Sequence, residues 1–164
     1  MKILVFSDSH GSETSMFYAV RYHKDAKVVI FCGDGHQDID IIRKKFPDRT
    51  YYAVRGNCDW YCDNPVLLTA NVGGKKILVS HGHTQMVKSS LDRLIALGHQ
   101  ENADIVLFGH THRQLTIADS RMLICNPGSI GYHEEYTLID IDEATGKITA
   151  QEYPDHQYGP VIIT

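Results

Sequence analysis

The sequence predicts an α/β fold in which a central pair of mixed β-sheets is flanked by helices. Short apolar runs rich in β-branched residues alternate with longer amphipathic stretches in the first half of the chain, which is typical of strands and helices that alternate around a sheet. The last third contains one β-rich segment after another, as expected of antiparallel strands. A chain of 164 residues has the length of one domain and buries about 70% of its unfolded surface, so we expect a single domain over 1–164.

The first half of the chain contains three predicted strands and two predicted helices. The strands are short apolar or aromatic β-rich runs, at 2–6, 28–32 and 50–54. Between the first two strands, Ser12 or Thr14 can cap a helix. A second helix is expected over 38–46. It is ended by Pro47, because a residue that precedes proline disfavours the helical conformation.

The second half begins with a hairpin over 65–80, whose turn is Gly73-Gly74. We then expect a helix over 88–98 that closes at Gly98. Further strands are expected at 103–109, 115–119, 121–126, 136–142 and 147–153. The apolar tail over 159–164 can pair with an edge strand or with another subunit.

Composition excludes several classes of function. Sixteen basic residues against 20 acidic ones give a net charge of -4, and the longest basic run is 43–45, so the electrostatic footprint of a duplex nucleic-acid binder is missing. No apolar run approaches the roughly 20 residues of a membrane helix, and the N-terminus lacks the apolar core of a signal peptide. We therefore expect a cytoplasmic protein without a membrane partner, and its four cysteines as free thiols.

Metal-capable side chains follow five of the predicted strands. In α/β folds, ligands bind outside the carboxyl ends of strands, so these residues are expected to converge. They are Asp8, His10, Asp34, Asn57, His81, His110 and His112. Any one of them alone is more often a cap or turn residue than a ligand, but turn chemistry does not favour histidine at strand ends. Seven imidazole, carboxylate and amide groups are too many for one tetrahedral zinc and suit two metals that share a carboxylate.

The motifs D-x-H, G-D, G-N, H-G and G-H-T-H occur in this order between residues 8 and 112. This set resembles the calcineurin-like metallophosphoesterase superfamily, and "GNCD" together with the small size is similar to its YfcE-like phosphodiesterase branch. The resemblance implies a four-layer α/β/β/α sandwich with a dinuclear metal site at the carboxyl ends of strands. The branch also includes the fold of the retromer sorting subunit, so a non-catalytic protein-interaction scaffold is the alternative function.

The resemblance further implies which residues hold each metal. One ion would be bound by Asp8, His10, Asp34 and His112, and the second by Asp34, Asn57, His81 and His110. The ions would be divalent transition metals, manganese foremost, with nickel, zinc, iron or cobalt as other possibilities. A metal-bridging hydroxide would attack the phosphorus of a small phosphodiester or nucleotide.

Asn57, His81 and Cys58 are the candidate catalytic residues. Asn57 can ligate a metal without adding negative charge and can donate to a substrate oxygen. Cys58 stands where many relatives carry a histidine that is thought to assist the leaving group, and a thiol is a weaker proton donor than imidazolium. Cys58 and Cys62 could also form a zinc clasp or a redox pair. A zinc clasp lacks a second cysteine pair or a matched histidine pair elsewhere in the chain, and we interpret the C-x3-C spacing as coincidence.

Several neighbouring residues are candidates for secondary roles. Possible substrate contacts are His36, Arg55 and His83, with Arg113 as a further cation beside a ligand. We expect Asp59 to orient a ligating histidine. The resemblance implies a positioning role for the turn 126–129 or for His133. Surface positions are expected for His23, His99 and His156. A homo-oligomer is compatible with the sequence.

Overall fold

The computed structural model describes residues 1–154 and 161–164. Its strands, in chain order, are β1 (Lys2–Phe6), β2 (Val28–Phe31), β3 (Thr50–Ala53), β4 (Leu67–Val72), β5 (Lys75–Ser80), β6 (Ile105–Leu107), β7 (Gln114–Asp119), β8 (Met122–Pro127), β9 (Tyr136–Ile141), β10 (Ile148–Tyr153) and β11 (Val161–Ile163). Its helices are α1 (Thr14–Tyr22), α2 (His36–Lys45), α3 (Asp92–Gln100) and α4 (Ile130–His133).

The strands form two mixed sheets, which confirms the predicted fold class. The first sheet has the order β11-β10-β9-β1-β2-β3, and the second has the order β4-β5-β6-β8-β7. β1, β2 and β3 are parallel to one another, as are β5, β6 and β8. The other strands pair antiparallel. The parallel strands therefore occupy the middle of the second sheet, whereas in the first sheet they form one side, with β3 at the edge.

Three apolar layers separate the two sheets and the helices. The first layer lies between the sheets and takes one side of β1, with Ile3 and Val5. Leu4 and Phe6, on the other side of the same strand, pack with residues of α1 and α2. The second sheet is covered in the same way, where Leu94 of α3 packs on its outer face. Burial on both faces explains why the central strands are continuous apolar runs, and it makes the fold a four-layer α/β/β/α sandwich.

The hairpin was predicted correctly, and the third helix only in part. β4 and β5 pair antiparallel, and both Gly73 and Gly74 have positive φ in the turn, as two-residue hairpins require. α3, however, begins at Asp92 rather than at residue 88 and continues past Gly98 to Gln100. Gly98 is an interior residue whose missing Cβ lets the helix approach the second sheet, so it does not act as the cap.

Two other predictions about the periphery have clear outcomes. Residues 161–163 of the tail form β11, which pairs antiparallel with β10 at the sheet edge. His99 lies at the surface as predicted, whereas His156 and residues 159–160 fall outside the described residues. The prediction for His23 was wrong: this side chain is buried.

The burial of His23 has a local cause. The end of α1 turns onto the first sheet, and His23 Nε2 lies 3.1 Å from the hydroxyl of Tyr136. The imidazole packs edge-on against the rings of Tyr136 and Tyr153. A position after a helix predicts exposure, but it does not reveal that tyrosines from two later strands cover the side chain.

Candidate metal centre

The predicted ligands follow the carboxyl ends of parallel strands in both sheets. They are Asp8 and His10 after β1, Asp34 after β2, Asn57 after β3, His81 after β5, and His110 and His112 after β6. The two sheets meet at these ends: the backbone N–H of His110 donates to Asp8 Oδ2 at 3.0 Å, and His81 Nδ1 lies 2.8 Å from the carbonyl of Cys32, which follows β2.

The first group of metal-capable atoms comes from both sheets. Asp8, His10 and His112 have ligand atoms that all lie within 4.8 Å of one another. His112 Nε2 lies 3.1 Å from Asp8 Oδ1 and 3.2 Å from His10 Nε2. Asp8 Oδ1 is buried, and although His112 Nε2 lies close to it, no donor within residues 1–154 and 161–164 meets it with hydrogen-bond geometry.

The second group is formed by Asp34, His81 and His110. His81 Nε2 lies 3.3 Å from Asp34 Oδ2 and 3.2 Å from the side-chain oxygen of Asn57, so all four predicted side chains of this group meet. Asp34 also belongs to a third group, with His10 and Cys58. Its carboxylate therefore lies within reach of both sets of ligands.

Hydrogen bonds set the protonation of His81. A carbonyl only accepts, so Nδ1 donates to the carbonyl of Cys32 at 2.8 Å, and this leaves Nε2 as the atom that faces the centre. Burial opposes the charged imidazolium, yet the hydrogen bond with Asp34 and the charges of Asp8 and Asp34 raise the pKa of His81. Metal binding would have to displace the Nε2 proton.

Two other groups have shifted pKa values. Burial, with the charge of His81, lowers the pKa of His110 to about 4, which leaves its imidazole in the neutral form that binds metals. Burial alone would raise the pKa of Asp34. The hydrogen bond and charge of His81, together with the N–H of Cys58 at 2.8 Å from Oδ1, outweigh burial and hold the pKa of Asp34 well below its ordinary value. Asp34 is therefore ionised over the neutral range.

Backbone conformation at the centre is unusual. Five of the seven predicted ligands have positive φ, a region that non-glycine residues seldom occupy. They are Asp8, His10, Asp34, His110 and His112. Two glycines let the backbone come close: a Cβ at Gly56 would overlap the carboxylate of Asp34, and a Cβ at Gly109 would overlap Ser7 and crowd Asp8. Strained turns at strand ends direct these side chains to one place.

Asp59 holds the ligand loops together, a role that we did not predict. Its Oδ2 accepts the N–H groups of Asp34 and Gly56, both at 2.8 Å. Its Oδ1 accepts those of Gly35 at 2.8 Å and His36 at 3.0 Å. Burial of this carboxylate opposes ionisation, but these N–H groups lower its pKa overall. The expectation that Asp59 orients a ligating histidine was wrong, because the imidazole it contacts is that of His36, which is not a predicted ligand.

The turn 126–129 supports the same loops from the second sheet. Asn126 Nδ2 donates to the carbonyl of Gly109 at 2.9 Å, and Ser129 Oγ donates to the carbonyl of Asp8 at 2.8 Å. Ser129 also caps α4 by accepting the N–H of Tyr132. A turn motif in the sequence does not indicate these contacts, since Ser129 and Asp8 are 121 residues apart. His133 is exposed and packs beside Tyr132.

The three predicted substrate contacts lie around the centre. The ring of His83 is 5.4 Å from that of His81 and 6.2 Å from that of His110, centroid to centroid, and burial lowers its pKa. His36 is half-buried beside Asp59, with Nδ1 3.2 Å from Oδ1. Arg55 is exposed, and its charge acts on His83.

The two cysteines of the C-x3-C pair differ in their surroundings. Cys58 and Cys62 are both free thiols. Cys58 is exposed, lies 3.2 Å from the amide nitrogen of Asn57 and belongs to a metal-capable group, whereas Cys62 is buried. Partial loss of solvation, together with the hydrogen bond and charge of the Asp34 carboxylate, raises the pKa of Cys58 to about 11, so its thiol is protonated at neutral pH and is a weak acid.

The donors fit divalent transition ions. Imidazole nitrogens with carboxylate and amide oxygens suit such metals better than calcium or magnesium. A buried acceptor without a donor is costly, and a cation between the two sheets would satisfy Asp8 Oδ1. Fold and site together define an α/β protein with metal-capable groups at the ends of its central parallel strands. The chain belongs to the calcineurin-like phosphoesterase superfamily, whose domain model matches residues 1–144.

Curated relatives and solved structures agree with this membership. The chain is 38% identical over 138 residues to the probable metallophosphoesterase YsnB of Bacillus subtilis, covering 79% of this chain and 75% of that protein. It is 28% identical over 144 residues to the phosphodiesterase MJ0936 of Methanocaldococcus jannaschii, with 78% and 83% covered. The family is metal-dependent and acts on phosphoesters, so the chain is a phosphoesterase-family hydrolase by descent.

The solved structures share the whole fold. The structure of a predicted phosphoesterase from Streptococcus pneumoniae superimposes with a TM-score of 0.82 at 26% identity, covering 99% of this chain and 96% of the other. Vps29 of Entamoeba histolytica in complex with zinc superimposes with a TM-score of 0.77 at 22% identity, with 99% and 97% covered. In the part of the chain that the structure describes, none of the helices has the length and apolar character needed to cross a bilayer.

Proposed function

We propose that the protein is a metal-dependent phosphodiesterase that hydrolyses a small phosphodiester or nucleotide at a centre of two divalent transition metal ions, with manganese the best candidate. The observation that carries the proposal is that Asp34 forms one metal-capable group with His81 and His110 and another with His10 of the other ligand set and Cys58, so its carboxylate lies between the two sets. A shared carboxylate is the arrangement that a two-metal site requires.

The residues of the chain divide the work of this reaction. Asp8, His10 and His112 would hold one ion, and the group around Asp34 and His81 would hold the other. When bound, the two ions supply an activated water as nucleophile and neutralise charge that develops on the phosphoryl oxygens. Asn57 is neutral and exposed, so its amide can donate to a phosphoryl oxygen without repelling it.

Two observations favour a diester over a monoester. The cleft beside the centre is lined by His10, Asp34, Cys58 and their neighbours, and its lining in the described part of the chain contains neither lysine nor arginine. A diester carries one negative charge where a monoester carries up to two, so it needs less cationic compensation. The relative MJ0936 is itself named a phosphodiesterase.

Metal reconstitution tests the proposal. We expect metal-stripped protein to be inactive on a chromogenic phosphodiester and to regain turnover when manganese, nickel, zinc or magnesium is added, with slower turnover of the matching monoester. Asp34→Asn and His110→Ala should abolish turnover and lower metal affinity without unfolding the protein. His99→Ala, at an exposed histidine paired with Asp119, is the matched control. Failure of every metal to give turnover, with two ions bound per chain, would contradict the proposal.

A non-catalytic protein-interaction scaffold remains the second candidate, supported by the likeness of the whole fold to Vps29. A scaffold has no need to keep a complete set of ligands, yet all seven predicted side chains are present and gather at one edge of the fold. The metal experiment distinguishes the two candidates, since a scaffold would bind ions without turning over any diester.

A further inference from the structure

Three exposed aromatic side chains lie beside the candidate metal centre. Trp60 and Tyr61, in the connection between β3 and β4, are 75% and fully exposed, and Tyr132 of α4 is 62% exposed. All three line one cleft of about 570 Å³, whose lining also includes His10 and Asp34. This volume lies within the usual range for small-molecule sites, and the cleft is continuous with the predicted ligands.

The connection that carries Trp60 and Tyr61 is anchored at its base. Between Cys58 and Trp60, the buried carboxylate of Asp59 accepts N–H groups from Asp34 and Gly56, which ties the segment to the ligand loops. Tyr61 has a φ of 59°, which is unfavourable for a bulky residue. An anchored segment that places two large apolar rings in water next to a reactive centre has no folding benefit to explain it.

Tyr132 approaches the centre from another element. Its ring stacks on that of His10, with centroids 5.1 Å apart and planes at 24°, and it lies 5.3 Å from the ring of His112. The N–H of Tyr132 is held by Ser129, which also binds the carbonyl of Asp8. Tyr132 is therefore positioned by the same contacts that hold a predicted ligand.

Charge restricts what this cleft can accept. Its described lining has carboxylates from Asp34, Asp38 and Asp59 but neither lysine nor arginine. A group that carries its own phosphates would meet no cation there, whereas a planar uncharged ring would meet aromatic faces. Stacking on such faces tolerates any flat π-system.

We propose that this aromatic cleft is a subsite for a planar, uncharged ring of the substrate, a nucleobase or an aryl group, which stacks on Trp60, Tyr61 and Tyr132 while the phosphoryl group lies at the metal centre. The proposal rests on the proposed function for the position of the phosphoryl group and extends it to the class of substrate. The two sources of the ring share one chemistry, and the probes below separate them.

Binding measurements test the subsite without reference to turnover. Trp60 is the only tryptophan of the chain, so its fluorescence reports on the cleft directly. Metal-reconstituted protein is titrated with AMP, phenyl phosphate and ribose 5-phosphate, followed by fluorescence and calorimetry. We expect at least one of the two ring-bearing probes to bind about tenfold more tightly than ribose 5-phosphate and to change the fluorescence of Trp60. Preference for AMP indicates a nucleobase, and preference for phenyl phosphate indicates an aryl group. Equal affinity of all three probes would overturn the proposal.

Variants of the cleft provide the second test. Trp60→Leu and Tyr132→Ala should each lower the affinity for the preferred ring-bearing probe by about tenfold and leave that for ribose 5-phosphate unchanged. Trp60→Phe and Tyr132→Phe should retain most of the affinity, since they keep a ring. Tyr18→Ala is the matched control, because Tyr18 is exposed to the same degree, 61%, and lines a different cavity. Loss of affinity for ribose 5-phosphate as well, or no loss for either probe, would contradict ring stacking.

Turnover of bis(4-nitrophenyl) phosphate separates this proposal from the proposed function. Turnover combined with equal binding of the three probes would leave the phosphodiesterase standing and remove the subsite. Ring-dependent binding that is lost in Trp60→Leu, without turnover by any metal form, would retain the subsite and remove the phosphodiesterase.

Discussion

At the level of single residues, the same chemical group has different roles according to which of its lone pairs are already used. Asp34 and Asp59 are both buried carboxylates that follow strands of the first sheet. Each oxygen of Asp59 accepts two backbone N–H groups, which leaves little capacity for a metal. Asp34 accepts one such N–H on Oδ1 and faces His81 with Oδ2. Remaining acceptor capacity, rather than burial, marks the candidate ligand.

Cys58 is the residue with the clearest chemical consequence for turnover. A thiol whose pKa is raised to about 11 is a poor proton donor to a leaving group, so we expect hydrolysis rates to fall steeply from aryl to alkyl diesters. Cys58→His places a stronger acid at this position and should raise kcat on alkyl diesters by about 10- to 100-fold, with little change for aryl diesters. Rates across a leaving-group series measure both effects.

The control for this substitution is Cys62→Ala, at the other cysteine of the pair, which should leave the series unchanged. A flat dependence on the pKa of the leaving group, once chemistry is shown to limit the rate, would mean that protonation of the leaving group is not the limitation.

At the level of elements, Gly98 shows how helix α3 is fitted to the second sheet. A Cβ at this position would lie 2.6 Å from Met122 Sδ and 2.7 Å from Val106 Cγ2. Alanine favours a helix interior by about 1 kcal/mol over glycine, but overpacking of a core costs about 1–3 kcal/mol. We therefore expect Gly98→Ala to lower the free energy of unfolding by roughly 1 kcal/mol, measured by urea denaturation.

A double-mutant cycle with Met122→Ala identifies the cause. Truncation of Met122 removes one of the two clashing neighbours, so Gly98→Ala should cost less in the Met122→Ala background than in the native chain. Equal costs in both backgrounds would show that the contact with Met122 is not responsible.

The elements and residues that could be predicted from the sequence are those whose chemistry is local. Asp34 and His81 could be predicted as candidate ligands because each follows a strand and carries a metal-capable group in its own side chain. The alternation of short apolar runs with amphipathic stretches likewise predicts the layered arrangement of sheets and helices. Asp59 and Ser129 act on backbone groups up to 121 residues away. Only the tertiary structure brings those groups near. The resemblance implied a positioning role for the turn that contains Ser129, but no pattern in the sequence identified the backbone groups that either residue contacts. The end of α3 was predicted incorrectly for the same reason, because glycine is needed at position 98 to avoid Val106 of β6 and Met122 of β8.

At the level of the whole molecule, the layers are joined by polar contacts as well as by apolar packing. Arg49, which precedes β3, donates to the carbonyls of Val20, His23 and Ala26, and so ties the end of α1 to the first sheet. His23 lies in the middle of this junction, against Tyr136 of β9 and Tyr153 of β10. The junction lies away from the metal centre, so protonation of His23 is expected to change the stability of the fold and not the metal centre.

The pH dependence of stability follows from His23. Burial lowers the pKa of this imidazole below its ordinary value of 6.5; the nearby Lys2 and Arg49 lower it further, and Asp25 opposes them. Above pH 6.5 both the folded and the unfolded chain hold a neutral His23, and the group has no effect on stability. As the pH falls below 6.5, the unfolded chain takes up the proton first, so the free energy of unfolding decreases until the pH passes the folded pKa. The slope for one group cannot exceed about 1.4 kcal/mol per pH unit.

We expect His23→Gln, which cannot be protonated, to show a smaller loss of stability between pH 7.5 and 5.5 in urea denaturation. His99→Gln, at an exposed histidine, should reproduce the native dependence. Identical pH profiles for the native chain and His23→Gln would show that His23 is not protonated more readily on unfolding.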